Sequence, residues 1–156
     1  MPVRLADVLL APDTEPKLIT DCFALIEQEL AEKSGASGAT LRVAYKTVAS
    51  FKPGYLRKTL RDMLPQIAAK LEPYWADFAA SGGSDFGGYL AKHGEEVSES
   101  LLTVTDEMAA DSGRPTIVRA YRSIRGSAIR HVEAALPRVG DLVLRYAASS
   151  GSPGTA

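Results

Sequence analysis

Residues 56–78, "LRKTLRDMLPQIAAKLEPYWADF", decide the fold. Leu56, Leu60, Met63, Ile67, Leu71, Tyr74 and Phe78 recur every three or four residues, which draws one apolar stripe along a helix. Two prolines sit inside that stripe. Each lacks the N–H of an internal helix bond, so the pattern predicts a break near Pro65 and a kink near Pro73.

The same period extends outward in both directions. On the N-terminal side, "EPKLITDCFALIEQELAEKSG" places Leu18, Ile19, Cys22, Phe23, Ile26 and Leu30 on one face, with Gly35 as the stop. "SGASG" at residues 34–38 reads as a loop, and Leu41, Ala44, Tyr45 and Val48 give a second apolar face. Pro53 then restarts the chain, because proline suits a first helical turn. On the C-terminal side, "SGGSDFGG" reads as a loop leading into a short helix around Phe86 to Lys92. Glu95 and Glu96 open the next helix, where carboxylates suit the positive end of the dipole. Its apolar positions are Val97, Leu101, Val104 and Met108. After a turn at Ser112 to Pro115, Ile117, Tyr121, Ile124, Ala128, Val132 and Ala135 mark a long helix. Gly126 and Ser127 inside it suggest the close approach of another helix. Pro137 and Gly140 are expected to interrupt the chain before a last segment with Val139, Leu142, Val143 and Tyr146. No stretch alternates with period two. The expected fold is an all-α, single-domain bundle of six or seven helices with proline kinks and no sheet, over residues 1–148. "SSGSPGTA" at residues 149–156 reads as a disordered tail.

A chain of 156 residues with 46% hydrophobic and 24% charged residues has the make-up of an ordinary globular domain with a real core. No apolar run approaches the roughly 20 residues of a membrane-spanning helix. The N-terminal "MPVRLADVLLAP" carries Arg4 and Asp7 and does not read as a signal peptide. Cys22 is the single cysteine, which fits a reducing cytoplasm.

The charges come in blocks. Residues 1–32 hold seven acids and two bases, and residues 33–61 hold seven bases and no acid. Residues 62–111 hold ten acids and two bases, and residues 112–156 hold seven bases and two acids. Helical hairpins would neutralise much of this. Folding about residues 34–38 sets Glu29 and Glu32 near Arg42, and Glu27 near Lys46. Folding about Ser112 and Gly113 sets Glu99 against Arg122 or Arg125, and Glu96 against Arg130. Arg114 and Arg119 have Asp106, Glu107 and Asp111 as sequence neighbours. Lys52, Arg57, Lys58 and Arg61 have only Asp62 close by, and they crowd the start of the Pro53 helix, where the dipole disfavours cations. They are the candidate site for an anion or an acidic partner surface.

Catalytic and metal chemistry leaves no signature. His93 and His131 belong to no metal-ligand spacing, and no Glu-x-x-His pair is present. "GGSDFGG" lacks the Lys-Ser/Thr of a phosphate-cradling loop, and Phe86 breaks the G-x-S-x-G pattern. Cys22 lies on an apolar face and reads as a packed thiol. No catalytic residue, metal ligand or cofactor is therefore expected.

The runs "VASFKPGYLRKTLRDMLP" and "YRSIRGSAIRHVEAALPRVG" resemble a family of small actinobacterial helical proteins, a domain of unknown function, over about residues 3–148. The resemblance implies a helical fold and no activity.

Two functions fit these features. The first is a non-enzymatic helical interaction domain, self-associating or meeting an acidic protein surface through Lys52, Arg57, Lys58 and Arg61. The second is a carrier for an apolar or anionic small molecule, with Tyr45, Phe51, Tyr55, Tyr74, Trp75 and Phe78 lining a cavity. The formal net charge of -1 argues against a nucleic-acid binder and leaves a membrane surface as a minor option.

Overall fold

The computed structural model describes the backbone of residues 4–151 and the side chains of residues 4–148. These residues form eight helices and no strand. They are α1 (Leu5–Leu9), α2 (Glu15–Glu32), α3 (Gly35–Ala49), α4 (Tyr55–Ser81), α5 (Phe86–Lys92), α6 (Gly94–Asp111), α7 (Pro115–Arg125) and α8 (Ala128–Gly151).

Several boundaries differ from expectation, each for a physical reason. α4 runs unbroken for 27 residues through both Pro65 and Pro73. The carbonyls that lose a donor are those of Arg61 and Ala69, both exposed, where water can replace the missing bond. α4 also begins at Tyr55, not at Pro53, after Gly54 turns the chain with φ 79. The 34–38 segment is the start of α3 and not a loop, with Gly35 taking the positive φ of the turn. α8 continues through Pro137 and Gly140 to Gly151, so residues 149–151 extend a helix. The rest of the expected tail, and residues 1–3, lie outside the described residues.

The long helix expected from Ile117 to Ala135 instead breaks at Gly126 and Ser127. A methyl group added at Gly126 would meet nothing within 4 Å, so no helix crosses there. Gly140 is the real crossing point. A Cβ on it would stand 2.3 Å from the Gly87 Cα, and a Cβ on Gly87 would stand 2.4 Å from the Pro137 carbonyl oxygen. α5 and α8 therefore touch backbone to backbone. Asp85 caps α5 by accepting from the Gly88 N–H at 2.9 Å, which fixes the short helix on that contact.

The core forms around this crossing. Phe86, Leu90 and Leu136 are fully buried, with Leu71 of α4, Val97 of α6 and Leu5 of α1 closing over them. Trp75 and Phe78 pack their rings against Phe86 at 5.1 and 5.0 Å between centroids. No residue of α3 or α7 belongs to this core cluster. Those two helices pack on each other at the side of the bundle, burying only Gly38, Ala44 and Ile117.

The crossing generates a test that sets two effects against each other. Ala favours a helix interior over Gly by roughly 0.5–1 kcal/mol, but a clash with backbone that cannot rotate away costs about 1–3 kcal/mol or more. Gly140→Ala and Gly87→Ala are expected to destabilise, and Gly126→Ala to be neutral or mildly stabilising. Urea unfolding of the three variants reads the contrast. Equal effects at Gly126 and Gly140 would contradict the backbone contact.

Candidate functional site

The four expected cations separate into two kinds. Lys58 pairs with Asp62 at 2.7 Å along its own helix, with both side chains largely exposed. Arg57 donates to the Pro16 carbonyl at 3.1 Å and to the Thr20 hydroxyl at 3.5 Å, tying the start of α4 to α2. Lys58 thus has a counter-charge inside the fold, and Arg57 has hydrogen-bond acceptors there. Lys52 lies two residues before the N-cap Gly54 of α4, outside the helix itself. Lys52 and Arg61 form no ion pair among the described residues.

The expected hairpin pairs are replaced by others. Glu29, buried in α2, meets Lys33 at 3.0 Å and Arg138 of α8 at 2.6 Å, while Arg138 also reaches Glu32 at 2.7 Å. These contacts hold the Glu32 carboxyl below its usual range, chiefly through the Arg138 hydrogen bond. Arg42 is not their partner. It donates to the Leu30 and Lys33 carbonyls at 3.0 and 2.8 Å, capping the end of α2. Glu27 acts on Tyr45 rather than pairing with Lys46. Arg125 takes Asp106, at 2.8 and 3.2 Å, instead of Glu99. Glu96 accepts from the Tyr74 hydroxyl, not from Arg130.

Arg114 is not balanced by the acids before it, as the sequence suggests. Its guanidinium instead lies over the rings of Phe51 and Tyr55, 5.0 and 5.8 Å from their centroids. That contact joins the two basic blocks, because Phe51 and Tyr55 flank Lys52. The start of α7 meets the end of α3 there. Neither helix contains an acid. Arg114, Arg119 and Arg122 line one hollow, and Lys46 and Lys52 belong to the neighbouring α3 and the turn after it, all five without a carboxylate partner among the described residues.

Between α3 and α7 runs an open furrow of about 460 Å3. Ala39, Thr40, Val43 and Thr47 line it from α3, and Ala120 and Ser123 from α7. Its hydroxyls are engaged by their own helices: Thr40 with Ala36, Thr47 with Val43, and Ser123 with Ala120, at 3.0, 2.9 and 2.6 Å. Val43 is 66% exposed, the outstanding exposed large hydrophobic among the described residues.

A second cleft, of about 490 Å3, opens between α4, α5 and α6. Here the Tyr74 hydroxyl donates to Glu96 at 2.9 Å, and the Tyr89 hydroxyl to Asp77. The His93 ring lies 4.7 Å from Tyr89 and 6.0 Å from Tyr74. The Asp77 hydrogen bond, then burial, pushes the Tyr89 phenol up to about 12. Both phenols are thus held as neutral donors. Sequence periodicity makes Tyr74 a core position and gives no sign of this cleft, which three helices assemble.

The six aromatics expected to line one cavity are dispersed. Trp75 and Phe78 are in the core cluster, Phe51 and Tyr55 hold Arg114, Tyr74 faces the second cleft, and Tyr45 is on α3. Burial, and then Asp21, push the Cys22 thiol up to about 11, so it stays protonated at neutral pH. His131 is pushed down by burial, then by Lys33 and Arg130. No group of three His, Cys, Asp or Glu residues with metal-binding geometry occurs among the described residues. No helix among them is long and apolar enough to cross a membrane.

Residues 5–147 match a family model described as a family of unknown function, DUF6918. No curated protein and no solved structure matches the chain.

The Tyr89–Asp77 contact has a measurable consequence. A phenol whose pKa is raised stabilises the fold below its ordinary value of 10, and that stabilisation is lost as pH rises toward about 12. In an ultraviolet difference titration, Asp77→Asn should bring Tyr89 back toward 10. A titration unchanged by that substitution would remove Asp77 as the cause.

Proposed function

Since the chain belongs to the DUF6918 family, a family of unknown function, we propose a function from its surface: a non-enzymatic helical interaction domain whose basic side takes an acidic protein partner. One observation carries this reading. Two basic blocks far apart in sequence meet along α3 and α7, and Lys46, Lys52, Arg114, Arg119 and Arg122 form no ion pair there among the described residues. Exposed ion pairs contribute about 0–1 kcal/mol each, so one cation could not hold a partner, whereas several of one sign steer and orient it. Their spread along two helices suits an extended surface better than a single small anion.

The acidic stretch of residues 62–111 makes a second copy of the chain one candidate source of that surface. A homo-oligomer of this kind would be held by charge and would dissociate with salt. The lone, protonated Cys22 fits a reducing cytoplasm as the place of action. A carrier role is the second reading, with the cleft beside Tyr74 and Tyr89 as its candidate cavity. Native mass spectrometry separates the two, since a carrier would show bound mass that is lost on denaturation.

Fluorescein-labelled poly-L-glutamate supplies an acidic chain without shape. The protein should bind it at low salt and release it as salt rises, and Arg119→Glu with Arg122→Glu should weaken binding about tenfold. Light scattering across the same salt series reads self-association. Binding that ignores both substitutions would overturn the assignment to this surface.

A further inference from the structure

The α3–α7 furrow shows what shape that partner would have. We propose that the furrow seats an acidic amphipathic helix of a partner protein, about three turns long. The inference rests on the reading of α3 and α7 as the partner surface.

The furrow is mostly apolar, with a cation, Arg119, on its α7 wall. Its small side chains, Ala39, Thr40, Thr47, Ala120 and Ser123, let a third helix approach closely. Thr40, Thr47 and Ser123 spend their hydroxyls on their own helix backbones, which leaves Thr116 and Arg119, both on α7, as the lining donors and the α3 wall with none for a phosphate or a base edge. No aromatic ring is among the lining residues, so unpaired bases would have nothing to stack on. Val43 stands out as the apolar ridge against which a ligand side chain can pack. Arg119 lines the furrow, and Arg122 lies one helical turn further along α7. Those cations match carboxylates on the α7-facing flank of a helix whose other face is apolar.

The lengths agree. α3 has 15 residues and α7 has 11, which is about 22 and 16 Å of helix. A ligand of about 11–14 residues spans that distance and places anchors at i, i+3 or i+4, and i+7. A strand is a poor alternative, because the described residues offer no sheet edge for it to join. A second copy supplies the charge but not the anchors. Its acidic helix α6 already buries Val97, Leu102, Val104 and Ala109 in its own fold. The occupant is therefore a different chain.

The test uses two labelled peptides, each of about 14 residues and of identical Glu, Leu and Ala composition. One places its leucines on a single helical face, and the other scatters them. The ordered peptide should bind the full-length protein about tenfold more tightly than the scattered one, and gain helical circular dichroism on binding. Val43→Glu, at an exposed position that leaves the fold intact, should abolish that preference. Ala120→Phe, which fills the furrow from the opposite wall, should do the same. Equal binding of the two peptides overturns the helix seat while leaving the basic surface standing. The helix seat is likewise overturned if poly-L-glutamate binds and neither peptide does. Failure of all three probes overturns both readings. A preference that survives Val43→Glu and Ala120→Phe overturns the furrow as its location.

Discussion

The bundle depends on one steric fact: α5 and α8 cross where neither has a side chain. Gly87 and Gly140 lie so close that a single methyl group would overlap backbone. Such proximity lets Phe86 and Leu90 reach fully buried positions against Leu136, and the other core residues close around them. α8 has to continue through Pro137 to present Gly140 there. The interruption that the sequence suggests at that proline is displaced to Gly126 and Ser127, and at Gly126 nothing is packed against the chain.

That displacement has consequences for the surface. A helix continuous from Pro115 to the C-terminal segment would have carried the arginines of α7 along the line of α8. The break separates them, and α7 lies on α3 outside the central core. Part of each basic block, Lys46 on α3 and Arg119 and Arg122 on α7, then lies on two helices that bury little, at the side of the bundle. Several charges of the central helices are paired within the fold. Glu29 is the clearest case, because a buried carboxylate is costly unless paired, and Lys33 and Arg138 both reach it. Arg138 is remote from Glu29 in the chain, so it joins α2 to α8. Tyr146 adds a second tie between the same helices by donating to Asp21 at 2.5 Å.

The contrast between the two surfaces clarifies what each can do. The cleft beside His93 has its acidic groups engaged, with Glu96 and Asp77 each accepting from a tyrosine. The α3–α7 side is the opposite. Three of its hydroxyls, on Thr40, Thr47 and Ser123, are satisfied within their helices, its centre is apolar, and its cations have no acids facing them from either helix. A surface with unspent charge around an apolar line is suited to being covered.

The 3.6-residue period of Leu56 to Phe78, and of the stretches around Leu18 and Val97, determined the helical class and most helix positions. It did so because a helix satisfies its backbone locally, so its apolar spacing is written in neighbouring residues. The sign of each charge block was equally plain, and so was the short helix that starts at Phe86 after a glycine-rich loop. Only the tertiary structure decided which prolines the chain tolerates, which glycines mark a crossing, and which charges meet. Pro65 is accommodated because the carbonyl it orphans belongs to the exposed Arg61, and Gly140 is small because Gly87 is opposite. Arg138, not Arg42, neutralises Glu29, because helix packing brings α8 alongside α2. Such outcomes depend on distances between helices remote in sequence, which no local pattern encodes.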